Sequence, residues 1–117
     1  MAVYFTLMST KTFAILTDIH SNLAALEQGI SIIEKRKGVD QLVCLGDCFA
    51  LGPAPKETLN ILKGLDNCIF IRGNHDRYLI EKLWEQEQPS LEGMDPYDPI
   101  CQAIVANEEW TAAQLGQ

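Results

Sequence analysis

The sequence predicts an α/β fold: a β-α-β-α-β unit with three parallel strands, followed by two helices. Two observations carry that reading. Three short runs, Phe13 to Leu16, Leu42 to Leu45 and Cys68 to Ile71, are almost continuously apolar rather than alternating. This is the pattern of strands buried on both faces of a parallel sheet. The segments between them carry apolar residues at spacings of three and four, the helical period, and right-handed crossovers are expected to join such strands.

Each element has its own justification. The first strand is the run "TFAIL". Leu23, Leu26, Ile30 and Ile33 then form one helical face, and Gly38 stops the segment. Pro55 suits a first helical turn and is followed by Leu59, Leu62 and Leu65 on one face. After the third strand a helix is expected from about His75 to Gln86, pairing Leu79 with Leu83 and Ile80 with Trp84. The stretch "EQPSLEGMDPYDP" reads as a loop. A last helix starts near Asp98 to Ile100 and carries Ile104, Val105, Trp110 and Leu115. Residues 1–11 read as an N-terminal extension, in which Met8 makes Met1 to Leu7 either a mis-called start or an extra strand. Residues 12–117 read as one domain.

Composition narrows the function classes. The chain has 117 residues, 47% of them hydrophobic, and a net charge of −7. That acidity speaks against a general nucleic-acid binder or an anionic-membrane binder, both of which need basic surface, and is compatible with a cation site. No apolar run approaches a transmembrane span. The start lacks a basic n-region and a cleavage signal, so a cytoplasmic protein is expected. The four cysteines form no C-x-x-C pair. Cys44 and Cys68 sit inside apolar runs, which favours reduced thiols over a disulfide frame. Cys48 follows Asp47 directly and lies near any site that Asp47 joins.

Every strand ends in a polar group. The first gives Asp18 and His20 in "LTDIHSN", the second Asp47 in "LGDC", and the third Asn74, His75 and Asp76 in "RGNHD". In an open α/β sheet ligands sit outside the carboxyl ends of the strands, and parallel strands put all three ends on one edge. Taken singly, Asp18 reads as a turn or cap residue, and "GD" as a turn. The joint occurrence, each directly after an apolar strand, points to convergence. Carboxylates, an imidazole and an amide oxygen suit a divalent metal such as Mn, Fe or Zn. A carboxylate bridging two ions would hold them at the spacing used in two-metal phosphoryl hydrolysis. Gly46 and Gly73 let the chain turn tightly beside an ion.

These blocks resemble a known family. "DIHSN", "LGDCFALGPAP" and "RGNHD" are similar to the D-x-H, G-D and G-N-H-[DE] blocks of the calcineurin-like metallophosphoesterases. "GDCFALGPAPKETLNIL" and "NEEWTAAQL" resemble its small bacterial and archaeal phosphodiesterase branch. The resemblance runs from about Lys11 to Leu115. It implies the βαβαβ parallel-sheet half of the family's αββα sandwich, and hydrolysis of phosphate mono- or diesters by in-line attack of a metal-bound hydroxide. It implies that Asp18 and His20 hold a first metal, that Asp47 bridges two, and that Asn74 holds the second. It also implies that His75 is catalytic, contacting the phosphate and assisting the leaving group. Arg72 and Arg77 flank the last block, with phosphate contact and a solvated surface role both open.

The sequence also departs from the family. The family completes its site with a further histidine and a G-H-x-H block, whereas this chain has two histidines in all, His20 and His75. The expectation is therefore the truncated N-terminal part of a metallophosphoesterase domain, holding one ion and weak or inactive by itself. The alternative is a non-catalytic metal-binding pseudo-enzyme or interaction module. One face of the sheet is left without its usual second sheet. Self-association as a homo-oligomer, or the C-terminal helix, is expected to cover it.

Overall fold

The structure, a computed structural model, describes residues 10–85 and 95–116. The Met1 to Leu7 extension and most of the Pro/Gly loop lie outside the described residues. Three parallel strands, β1 (Phe13–Leu16), β2 (Gln41–Cys44) and β3 (Cys68–Phe70), form one sheet in the order β1-β2-β3. Helices α1 (Leu23–Lys35) and α2 (Pro55–Lys63) make the crossovers, and α3 (Asn74–Glu81), a 3-10 turn (Leu83–Glu85) and α4 (Pro99–Leu115) follow. The α/β expectation holds.

The helix starts are set by local chemistry. Asn22 caps α1, its side chain accepting the Ala25 N–H at 3.1 Å. Pro55 opens α2, where its missing N–H costs nothing. Asp98 caps α4 by accepting from the Ile100 N–H at 2.8 Å, with Pro99 in the first turn. Leu26, Cys44, Cys48 and Leu62 make the main core with Ile19, and Leu16, Ile30, Ile61, Leu65 and Cys68 pack against them. A second cluster joins Ala50, Leu79 and Ala112.

Three expectations need correction. The helix expected to reach Gln86 ends at Glu81, because Lys82 turns into the left-handed conformation (φ 52°, ψ 44°) and only a 3-10 turn follows. Leu79 and Leu83 are buried as expected, but Ile80 is exposed. Leu65 stands past the end of α2, though it still reaches the core.

The strands are also not buried on both faces. Phe13 pairs with Gln41, Ile15 with Val43 and Val43 with Ile69, so these residues share one side of the sheet. On that side Phe13, Ile15 and Ile69 are 55%, 59% and 51% exposed, and Leu45 and Ile71 beyond the strand ends are also exposed. The C-terminal helix does not cover them: α4 packs on α2, α3 and the 3-10 turn. No helix among the described residues is long and apolar enough to cross a membrane.

Candidate metal centre

The loops after β1 and β2 extend the sheet past its regular end. The Asp18 N–H donates to the Gly46 carbonyl, the His20 N–H to Asp47 and the Ser21 N–H to Cys48, at 3.2, 2.9 and 2.9 Å. This backbone zipper carries Asp18, His20 and Asp47 to one place. One ligand atom from each lies within 4.8 Å of the others. The chain strains to make these turns: Asp18, His20, Ser21, Asp47, Ala50 and Leu51 all have positive φ between 46° and 67°. Left-handed backbone at residues other than glycine clusters at functional sites.

The donor set fits a divalent cation. His20 Nδ1 lies 3.2 Å from the Phe49 carbonyl oxygen, so Nδ1 carries the proton and Nε2 is left with its lone pair. Fixing one ring nitrogen on a backbone carbonyl is how a protein prepares the other for a metal. Nε2 lies 3.8 Å from Asp18 Oδ1, while Asp18 Oδ2 accepts from the Thr17 hydroxyl at 2.6 Å. Two carboxylates and an imidazole are the oxygen and nitrogen ligands that suit a first-row divalent ion.

The third strand end joins through Asp47 and Asp76. The His75 N–H donates to Asp47 Oδ1 at 2.9 Å. Asp76 is buried and accepts three backbone N–H groups, from Asp47 at 2.8 Å, Cys48 at 3.0 Å and Gly73 at 3.0 Å. One carboxylate thus ties the loop after β2 to the start of α3. The fit is close: a Cβ on Gly46 would lie 2.2 Å from the Gly73 nitrogen, and one on Gly73 would lie 2.2 Å from Asp47 Oδ1. Only glycine fits at either position.

His75 meets His20 edge-on, with ring centroids 5.1 Å apart. Its Nδ1 lies 3.0 Å from Oε1 of Glu108, a fully buried residue of α4. The Glu108 carboxylate raises the His75 pKa above the ordinary 6.5, against the lowering effect of burial. Asn74, the first residue of α3, is exposed and precedes His75 in the chain. Arg72 and Arg77 both engage Glu81, at 3.2 and 3.1 Å. Cys48 faces inward, its sulfur 3.2 Å from that of Cys44. That contact lowers the Cys44 thiol pKa to about 7 and pushes the Cys48 thiol up. None of the four cysteines forms a disulfide.

The profile of the calcineurin-like phosphoesterases matches residues 11–110. The chain belongs to that family. An uncharacterised protein of Methanocaldococcus jannaschii is 37% identical over 105 residues, covering 86% of this chain and 40% of the relative. A symmetrical bis(5'-nucleosyl)-tetraphosphatase of Psychromonas ingrahamii is 34% identical over 67 residues, covering 56% of this chain and 24% of that protein. The crystal structure of a metallophosphoesterase from Sphaerobacter thermophilus superposes with a TM-score of 0.57 at 28% identity, covering 91% of this chain and 37% of that one. The chain thus spans well under half the length of each of these proteins.

Two residues of this calcineurin-like phosphoesterase chain escaped the sequence reading. Asp76 was visible only as the last letter of "GNHD", and nothing local shows that it accepts amides 28 and 29 residues away. Glu108 did leave a signal. It lies on the buried stripe of α4 with Cys101, Thr111 and Ala112, and a charged residue on a buried stripe calls for a partner.

Proposed function

We propose that this chain is the metal-binding part of a phosphoesterase acting on phosphate mono- or diesters. The observation that supports this best is the convergence of Asp18, His20 and Asp47 donor atoms within 4.8 Å from two separate strand ends. Asp18, His20 and Asp47 would hold a first divalent ion (Mn, Fe or Zn), and Asp47 and Asn74 would be the groups this chain offers toward a second. When bound, such ions place positive charge against the phosphoryl oxygens and make water a stronger nucleophile. His75 contacts the phosphate and assists the leaving group. Arg72 and Arg77 reach phosphate by exchanging Glu81 for it. The tetraphosphatase relative brings nucleotide phosphates into the substrate class. Both histidines of the chain are already in use. We therefore expect one ion here and slow hydrolysis of p-nitrophenyl phosphate and its bis-ester.

The exposed sheet face favours a second reading alongside the first: an interaction module in which another copy of this chain covers that face. A cytoplasmic setting with reduced thiols suits four cysteines that form no disulfide.

Calorimetry with Mn²⁺ tests the metal reading. The parent should bind one ion, and Asp47→Ala should bind at least about tenfold more weakly, the lower end of what disturbing a metal-ligand network costs. Equal affinity would remove Asp47 from the site.

A further inference from the structure

We infer that Glu108 is the positioning residue of His75, holding the ring in the tautomer that leaves Nε2 as its working nitrogen. The inference deepens the phosphoesterase reading and rests on it for what Nε2 does there. Glu108 is fully buried, and His75 Nδ1, 3.0 Å from Oε1, is its hydrogen-bond partner. The other oxygen, Oε2, has none among the described residues. Burying a carboxylate is unfavourable unless it is paired, and an apolar residue would fill the same place on α4 without that cost.

The tautomer follows from the chemistry of the pair. An ionised carboxylate only accepts hydrogen bonds, and a neutral imidazole carries one N–H. Nδ1 therefore bears the proton and donates to Glu108. Nε2 then accepts a hydrogen bond when the ring is neutral and donates one when the ring is protonated. Either state serves a phosphate oxygen or a leaving group.

The ring is also held in place. On one side the His75 backbone N–H is fixed to Asp47 Oδ1 at 2.9 Å, and the ring meets His20 at 5.1 Å. On the other side stands α4. Its Asn107, next to Glu108, accepts the Leu51 N–H at 2.5 Å and the Thr111 hydroxyl at 3.4 Å. Consecutive residues of one helical turn thus grip the loop after β2 and the catalytic ring together. This gives α4 a task other than covering the sheet.

Long-range ¹H–¹⁵N correlation spectra of the ¹⁵N-labelled chain decide the matter. The chain has two histidines, so two ring systems are seen. At a pH where both rings are neutral, His75 should carry its proton on Nδ1 in the parent. It should keep it in Glu108→Gln, whose amide oxygen still accepts. In Glu108→Leu it should pass to mainly Nε2–H, the form that an unconstrained ring prefers. His20, anchored separately on Phe49, should remain Nδ1–H throughout and reports that each variant is folded. A parent ring protonated on Nε2 overturns the inference. So does a folded Glu108→Leu that keeps Nδ1–H. If Glu108→Leu does not fold, the parent and Glu108→Gln spectra still decide, because loss of Nδ1–H in folded Glu108→Gln is equally fatal. No metal or turnover is needed. A chain that hydrolyses nothing would therefore defeat the phosphoesterase reading while leaving the tautomer assignment standing.

Discussion

The rim of strand ends and the outer face of the sheet come from the same three strands but follow opposite rules. At the rim, polar groups are brought inward and matched. Asp76 alone accepts three amides, and Glu108 pairs with His75. On the outer face Phe13, Ile15 and Ile69 stand half exposed among the described residues. The rim holds its groups by hydrogen bonds within the chain, whereas the face presents apolar side chains to solvent. Exposed apolar patches of this kind mark interaction surfaces. The contrast separates what fixes the site from what the rest of an assembly must supply.

The largest effect should come from breaking the rim at its most connected residue. Asp76→Ala removes a charged acceptor from three amides, two of them on Asp47 and Cys48. Each such bond is worth about 1.5–3 kcal/mol, so a loss of about 3–5 kcal/mol is expected once water and relaxation recover part of it. Chemical denaturation measures it. A loss below about 1 kcal/mol would show that the loops hold themselves without Asp76.

Gly73→Ala should cost less, about 1–3 kcal/mol, as overpacking does. The added methyl meets Asp47 Oδ1 at 2.2 Å and the Asp47 backbone nitrogen at 2.5 Å, so both must shift, and Mn²⁺ affinity should fall together with stability. Unchanged affinity in a destabilised variant would separate the glycine pair from the metal centre.

The outer face should behave in reverse. Ile15→Asp should change monomer stability by only about 0.5 kcal/mol, the usual scale for exposed positions, yet it should abolish self-association seen by light scattering. A parent that is monomeric at high concentration would remove the second-copy reading of this face. A large loss of monomer stability in Ile15→Asp would instead mean that the face is covered within the chain.

What the sequence disclosed depended on how local the signal was. The strands were legible because their runs are short and continuous, and the grouping of Asp18, His20 and Asp47 because each closely follows one. The crossover helices were legible because Leu23, Leu26, Ile30 and Ile33 recur at helical spacing and Pro55 suits a first turn. The end of α3 was not, since Leu83 and Trp84 continue the helical spacing while Lys82 breaks the backbone. The bare sheet face was legible too, because continuous apolar strands seek cover on two faces, but the C-terminal helix does not supply it. Asp76 and Glu108 act across 28 to 33 residues, beyond any periodic pattern, and only Glu108 betrayed itself, by placing a charge on a buried stripe.

The shared acceptor at Asp76 also bears on how the protein breathes. The amide hydrogens of Asp47, Cys48 and Gly73 come from two segments of the chain but end on one carboxylate. Local opening that swings Asp76 out with α3 frees the Asp47 and Cys48 amides at once, while Gly73, the N-cap of α3, moves with Asp76. Exchange of those two amides with solvent should therefore follow a single opening free energy, as in a cooperative unit, rather than two independent ones. The loop after β2 and the start of α3 would then open and close together, and the geometry around Asp47 would be either wholly formed or wholly lost.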